Sequence, residues 1–512
     1  MADGAEKIRF LLDGAVHTVD AVSPTTTVLQ YLREHLGRCG TKEGCAEGDC
    51  GACTVVLGEL VGESHDASGG AAAKQLRFRA VNACIQFLPT LDGKALFTVE
   101  SLRNRTDGSL HPVQRAMVEC HGSQCGFCTP GFVMSLYALY RTEREPDEER
   151  ARQALSGNLC RCTGYRPILA AAQRMYEYPR VDGSGATPVD DSAAARAEFS
   201  DAALIKSLQA IRVTREKRLS WQGANYVAPS TIAEVARACA EQPKATILAG
   251  GTDVGLWVTK KYMDLPALIY VGNVAELKTV TRSDAHIDVG AAVSLTDAFA
   301  ALESECPELH EIARRFASPP ICNAGTLGGN VANGSPIGDS MPALIALGAS
   351  VILQAGATTR TLPLDEFYLD YMKKDLRAGE FVVAVRVPRV RKGRLLRSYK
   401  IAKRYDQDIS SVCAAFCIEL KGGKVRDARV AFGGMAATPR RATACEQALI
   451  GANWDGASLA KAAQALAADF QPLSDMRASA NYRAQVATNL LRRFQAEVSQ
   501  PDRPLSVWTH VS

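Results

Sequence analysis

The feature that most constrains this chain is the run Cys45-Ala-Glu-Gly-Asp-Cys50-Gly-Ala-Cys53. Its spacing, C-x4-C-x2-C, is the plant-type pattern for a [2Fe-2S] cluster, which needs one more distant cysteine. Cys84, in Val-Asn-Ala-Cys, is the natural fourth ligand. Glycines at 40, 44, 48 and 51 fit a loop whose backbone must come close to inorganic sulfide. The N–H groups of such a loop can point at the sulfurs and tune their potential. Four thiolates also suit tetrahedral zinc, the structural alternative, although zinc sites usually pair two C-x2-4-C knuckles.

A second set follows: Cys125-Gly-Phe-Cys128, then Cys160-Arg-Cys162. Thr129-Pro130 precedes a helical run, and Thr163-Gly164-Tyr165-Arg166-Pro167 leads into another. Threonine caps helices and proline suits their first position. Each thiol pair is thus expected just before a helix start, where the helix dipole favours the negative charge of a thiolate cluster. Cys39 and Cys120 fall outside the spacing and read as bystanders.

The chain has 512 residues and 16 cysteines. The remaining six, Cys239, Cys306, Cys322, Cys413, Cys417 and Cys445, lack ligand spacing and read as core packing. A hydrophobic fraction of 47% excludes general disorder. Fifty-nine basic and 55 acidic residues leave a net charge of only +4, too little for a whole-protein grip on nucleic acid. No apolar run reaches bilayer length, and the N-terminus has no basic region followed by an apolar core. The expected compartment is the cytoplasm, where crowded cysteine reads as metal binding rather than disulfide.

Along the chain, residues 7–12, the Asp13-Gly14 turn and residues 15–19 spell a β-hairpin. Residues 27–36 read as a helix and 58–74 as a flexible Gly/Ala/Ser-rich insertion between the third and fourth thiols. Helices are expected from Pro112, Thr129 and after Pro146 and Pro167, and a linker near 179–210. Farther on, 245–249 is a short buried strand followed by Gly250-Gly251-Thr252-Asp253-Val254. A second glycine-rich stretch runs from Asn323 to Asp339. Tight turns without a ligand explain one such loop. Two long ones beside an electron-transfer module point to a phosphate-bearing redox cofactor held by backbone N–H groups. The basic stretch 389–404 reads either as a solvated face or as a place where Lys400, Lys403 or Arg404 meets a nucleotide.

These motifs resemble a known family. Cys45–Cys53, His121-Gly-Ser-Gln-Cys-Gly-Phe-Cys-Thr-Pro-Gly131 and Asn158-Leu-Cys-Arg-Cys-Thr-Gly-Tyr-Arg-Pro167 are similar to the iron–sulfur half of the xanthine dehydrogenase family. Thr326-Leu-Gly-Gly-Asn330 and Ser335-Pro-Ile-Gly-Asp339 resemble that family's FAD domain. The resemblance implies a multidomain α+β chain. Its parts are a β-grasp ferredoxin domain (5–100), a helical [2Fe-2S] domain (101–178), a linker (179–212), an FAD-binding domain (213–392) and a smaller flavoprotein domain (393–505). It places one cluster on Cys45, Cys50, Cys53 and Cys84, and the other on Cys125, Cys128, Cys160 and Cys162. It lines FAD with Ile247, Leu248, Ala249, Gly250, Gly251, Thr252, Asp253, Val254, Phe316, Thr326, Gly329, Asn330, Asn333, Asp339, Val382 and Lys400. The first flavin loop departs from the animal pattern, Gly-Asn-Thr-Glu.

The resemblance also implies an activity. A purine is hydroxylated at a molybdenum cofactor, and electrons pass through both clusters and FAD to NAD+. The molybdenum domains are expected on a partner chain, in an α2β2 heterotetramer. Relatives acting on an aldehyde, nicotinate or an aromatic acyl-CoA, and oxygen as the acceptor, are alternatives. A non-catalytic electron carrier is a further one, which needs only the first 180 or so residues.

Overall fold

The computed structural model describes residues 6–61, 76–104, 108–180, 200–390, 393–405 and 407–500. They divide into two compact units. The first holds residues 1–238, 244–274 and 318–325; the second holds 239–243, 275–317 and 326–512.

The first unit opens with the expected hairpin, Ile8–Leu12 against Ala15–Val19. Asp13 and Gly14 both take positive φ, as a two-residue hairpin turn matching strand twist requires. The sheet order is Ala15–Val19, Ile8–Leu12, Ala95–Phe97, Thr54–Leu60, Leu76–Asn82, with only the second and third strands parallel. Thr27 and Gln30 form a reciprocal capping box at the start of Val28–Gln30, which continues as a π-helical turn, Tyr31–His35. Val28, Leu29 and Leu32 are buried beneath the sheet with Phe10, Val55 and Leu96. This is the β-grasp arrangement.

Helices Pro112–Glu119, Thr129–Thr142, Glu148–Leu155 and Arg166–Arg174 follow where the proline signals placed them. They do not form a separate core. Phe132, Leu136 and Tyr137 share one apolar cluster with Val56, Phe78 and Phe97 of the sheet. The linker expectation needs correcting at its end. Asp201–Ala210 is a helix capped by Ser200, and its Leu204 and Leu208 are buried in that same cluster. Residues 181–199 lie outside the described residues, as do 62–75 of the expected insertion. The insertion also starts later than expected, because the strand runs on to Leu60.

A sheet ordered Lys217–Trp221, Ala224–Ala228, Ala267–Tyr270, Thr246–Leu248 completes the first unit. Phe87 of the ferredoxin domain is buried among its Tyr226, Ala228, Leu248 and Leu268. That shared core explains why the compact units divide the stretch 213–392, which reads as one domain in sequence.

The second unit contains an antiparallel sheet ordered Val280–Arg282, His286–Gly290, Phe381–Pro388, Ser350–Ala355, Thr358–Pro363. A second sheet, Arg394–Ile401, Val412–Lys421, Lys424–Gly433, Arg440–Arg441, is backed by helices Thr443–Leu449, Gly456–Asp469 and Ala480–Ser499. Phe416 is its hub, 5.1 Å from Phe494 and 5.8 Å from Phe432 between ring centroids. Phe416→Ala is expected to cost about 3–5 kcal/mol, read as a lowered midpoint in thermal unfolding. Cys239, Cys306, Cys322, Cys413, Cys417 and Cys445 are all buried, as core packing requires. Among the described residues, no helix is long and apolar enough to cross a membrane.

Candidate functional site

Strand pairing brings the first thiol set together. Thr54 lies opposite Asn82 in the antiparallel pair, so Cys53 and Cys84 leave their strands at the same end. The length of the connection between those strands does not enter, and the 62–75 segment leaves the fourth thiol in place. Cys53 and Cys84 are buried and hydrogen-bonded to each other, and Cys84 also meets Cys45. The loop folds around Cys45 with positive φ at Ala46, Gly48 and Gly51. The N–H groups of Asp49 and Cys50 both donate to Cys45 Sγ at 3.3 Å. Asn82 Nδ2 donates to Cys53 Sγ at 3.8 Å. Hydrogen bonds from Cys50 and Cys84 hold the Cys45 thiol far below the usual thiol range. The same contacts, with burial, push Cys50 and Cys84 up.

The second set sits at helix starts, as the sequence implies. Cys128 is the N-cap of Thr129–Thr142, with proline in its first turn. Tyr165, in left-handed backbone at φ 69°, precedes Arg166–Arg174, and its hydroxyl accepts from the Cys160 N–H at 3.0 Å. Cys162 and Cys125 sulfurs lie 3.6 Å apart, and Cys160 Sγ is 3.2 Å from Thr163 Oγ1. Cys128 bonds Cys160, and burial pushes the Cys128 thiol up to about 12. The Phe127 N–H lowers Cys125. Cys125 and Cys162 are exposed.

Among the described residues, no group of three or more ligand side chains gathers around a single-ion position. In the first set Cys45 meets Cys50 and Cys84, and Cys84 meets Cys53; in the second Cys125 meets Cys162 and Cys128 meets Cys160. Two thiolates for each of two irons is what a [2Fe-2S] cluster takes, whereas zinc draws four to one point. The donor set fits the iron–sulfur cluster.

Asn158 escaped the sequence reading as a functional residue, although its place two before Cys160 was a usable signal. It is buried and joins the two thiol sets. Its Nδ2 donates to the Gly51 carbonyl at 3.0 Å and to Thr54 Oγ1 at 3.2 Å, and its Oδ1 accepts from Ser135 Oγ at 2.6 Å. Beside it the Leu159 N–H donates to the Cys50 carbonyl at 3.0 Å. Gly51 leaves no room for a side chain: a Cβ there would lie 2.1 Å from the Gly157 carbonyl oxygen. Asn158→Leu takes the acceptor from buried Ser135 Oγ, at about 1–3 kcal/mol, and removes the cross-link to Gly51 and Thr54, which still bond each other. The expected result is a loss of about 2–5 kcal/mol in denaturant unfolding, with both clusters less stable together.

The flavin loops are placed as follows. In the first unit, Ile247 and Leu248 end the strand Thr246–Leu248, and Ala249–Asp253 turn into Val254–Thr259. A Cβ on Gly250 would lie 1.8 Å from the Ala324 carbonyl oxygen, so this loop presents backbone, and Asp253 accepts from Trp257 Nε1 at 2.9 Å. In the second unit, Thr326 caps Leu327–Asn333 by accepting from the Gly329 N–H at 3.0 Å. Asn330 Oδ1 accepts from Ser340 at 2.5 Å, and the Asn333 carbonyl accepts from Lys374 at 3.2 Å. Phe316 packs on Phe299, and Val382 pairs with Leu353. Lys400 is buried with Asp339, at 2.6 Å. Backbone-lined loops of this kind fit a dinucleotide's phosphates. The solvated-face reading of 389–404 holds for Arg389, Lys403 and Arg404, which are exposed, and fails for Lys400. Lys400 is enclosed, Arg389 bonds Glu305 and Arg394 bonds Asp427, while Lys403 reaches the Met476 carbonyl and Arg404 reaches Asp408.

Paired thiol sets followed by backbone-lined glycine loops define an iron–sulfur flavoprotein module for electron transfer. Four domain families match in that order. They are a 2Fe-2S iron-sulfur cluster binding domain at 10–88, a [2Fe-2S] binding domain at 98–173, an FAD binding domain in molybdopterin dehydrogenase at 220–390 and a CO dehydrogenase flavoprotein C-terminal domain at 397–498. Xanthine dehydrogenase of Emericella nidulans is 32% identical, covering 96% of this chain and 39% of that protein. The Drosophila subobscura enzyme is 35% identical over 89% of this chain and 36% of its own length. The chain thus spans less than two fifths of these relatives. Carbon monoxide dehydrogenase from Hydrogenophaga pseudoflava superposes with a TM-score of 0.50 at 28% identity, over 52% of this chain and 94% of that one. Quinoline 2-oxidoreductase from Pseudomonas putida gives 0.50 at 26%, over 54% and 96%. The chain belongs to the molybdenum hydroxylase family, as a 2Fe-2S and FAD module. A bare iron–sulfur carrier is set aside by the flavin families over residues 220–498.

Proposed function

We propose that this chain is the electron-transfer and FAD subunit of a xanthine dehydrogenase. It takes electrons from purine hydroxylation, hypoxanthine to xanthine to urate, at a molybdenum cofactor on a partner chain and delivers them through two [2Fe-2S] clusters and FAD to NAD+. The observation that carries this reading is the joining of two four-thiol sets within one unit by Asn158 and Gly51. The xanthine dehydrogenases at 32–35% identity support the choice of substrate.

Cys45, Cys50, Cys53 and Cys84 hold the first cluster and Cys125, Cys128, Cys160 and Cys162 the second. Bound there, each cluster supplies one-electron chemistry. The Asp49 and Cys50 N–H groups stabilise thiolate charge on Cys45, and the Phe127 N–H does the same for Cys125. The residues 247–254, with Phe316, Thr326, Gly329, Asn330, Asn333, Asp339, Val382 and Lys400, are the proposed FAD contacts. The exposure of Cys125 and Cys162 supports the second set as the point where electrons enter from a molybdenum-bearing large subunit. The assembly proposed is an α2β2 heterotetramer working in the cytoplasm.

A second reading keeps the module and changes the substrate, since quinoline 2-oxidoreductase and carbon monoxide dehydrogenase are also similar. Purification from the native host separates the two. The first reading expects a co-purifying molybdenum chain, FAD, and xanthine-dependent reduction of NAD+. A holoenzyme inert toward xanthine and hypoxanthine but active on an aldehyde or N-heterocycle would decide for the second.

A further inference from the structure

The ferredoxin-type domain and residues 244–274 lie in one compact unit, and Ile85, the neighbour of Cys84, stands where they meet. A Cβ on Gly255 would lie 2.6 Å from the Ile85 carbonyl oxygen and 2.8 Å from its Cβ. A Cβ on Gly251 would lie 3.4 Å from the same oxygen. From the other side, a Cβ on Gly48 of the thiol loop would lie 2.7 Å from Ile85 Cδ1. Thr259 Oγ1 donates to the Ala46 carbonyl at 2.8 Å, and Lys260 reaches Glu47 at 3.6 Å. The turn after the first flavin loop is therefore clamped onto the loop that carries Cys45 and Cys50.

We propose that Gly255 and Gly251 are positioning residues that seat the flavin loop against the Cys84–Ile85 backbone, which makes this segment the exit for electrons from the first cluster to the flavin. The proposal rests on the function proposed above. Its physical basis is the kind of atom that Gly255 meets. A side-chain tip could rotate away, but the Ile85 carbonyl belongs to the strand-anchored backbone that presents Cys84. Any Cβ at 255 must force the flavin-loop segment and the Ile85 backbone apart. Each transfer carries one electron and breaks no bond; two transfers, with two protons from solvent, complete one flavin reduction. The electrons come from the hydroxylation on the partner chain.

The test compares holoprotein with Gly255→Ala in the full chain. Two readouts need no substrate: the fluorescence lifetime of bound flavin, which a nearby cluster shortens, and the rate of flavin bleaching after a reducing flash populates the clusters. The expected result is a longer lifetime and transfer slowed several-fold. Iron, sulfide, FAD content and midpoint potentials stay as in the parent protein. Gly223→Ala, which strains a turn of the same unit (φ +90°) without meeting any neighbour, separates lost stability from lost approach and leaves both readouts unchanged. A Gly255→Ala protein with parental lifetime and rate overturns the proposal. Should that variant not accumulate, Thr259→Val carries the test: the same shifts, smaller, support it, and no shift overturns it. Parent protein that binds neither cluster nor flavin instead overturns the functional reading, and this proposal with it.

Discussion

Cys84→Ser is expected to remove half of the iron and acid-labile sulfide from the protein and one of its two EPR signals. Cys84 is 3% exposed and sits one strand pairing away from Cys53. A serine hydroxyl there is a poor ligand for iron, and half-buried Cys45 and buried Cys53 lose their shared thiol partner. Because ligation free energy is also folding free energy, the ferredoxin-type core loosens with the cluster, by more than about 3 kcal/mol. The second cluster draws on residues 125–162 and keeps its signal. Cys39→Ser, an exposed thiol outside the set, leaves iron content unchanged. Full iron in the Cys84 variant would assign the fourth ligand elsewhere.

Asp339→Ala is expected to destabilise the second unit by about 3–5 kcal/mol, the usual cost of stranding a buried charge. The Lys400 side chain is 2% exposed, and its ammonium meets Asp339 Oδ2 at 2.6 Å. The other carboxylate oxygen accepts from Ser410 at 2.5 Å, and the Asp339 carbonyl accepts from Cys413 Sγ at 3.6 Å. Removing the carboxylate leaves an ammonium with no counter-charge and a buried hydroxyl with no acceptor. Replacing both partners by apolar residues, Asp339→Leu with Lys400→Met, recovers most of the loss, since a buried ion pair adds little net stability over packing. Thermal unfolding reads the stability. FAD retained after desalting reads the proposed cofactor role: if these residues also touch the flavin, the double variant regains stability without regaining FAD.

Local elements were legible in the sequence wherever a single residue type governs the backbone. The Asp13-Gly14 turn, the helix starts at Pro112 and Thr129, and the short strand at Ile247 and Leu248 all fall in place, although of those two only Leu248 is buried. The thiol sets were legible for a different reason. A cluster needs several sulfurs from short loops, and that demand is written as spacing. Within the basic stretch 389–404, the burial of Lys400 was not legible. In a strand, alternate residues face opposite ways, so Arg394–Ile401 sends Lys400 inward to Asp339, a residue 61 positions earlier. Charge counted along the chain carries no record of that partner. Asn158 escaped for the same reason, since its partners Gly51, Thr54 and Ser135 are remote in sequence.

The cysteine spacing by itself determined that this chain is an iron–sulfur protein, and the glycine loops beyond it that a phosphate-bearing cofactor follows. Both are written as short motifs, although each thiol set is completed only across the gap from Cys53 to Cys84 or from Cys128 to Cys160. Only the tertiary structure decided that the two cluster domains share one core, that the length of the 62–75 segment is irrelevant to Cys84, and how near the first flavin loop comes to the first thiol set. Those are matters of strand register and backbone approach. They are settled by which surfaces exclude water together and where a Cβ has no room, and neither quantity is local to any stretch of sequence.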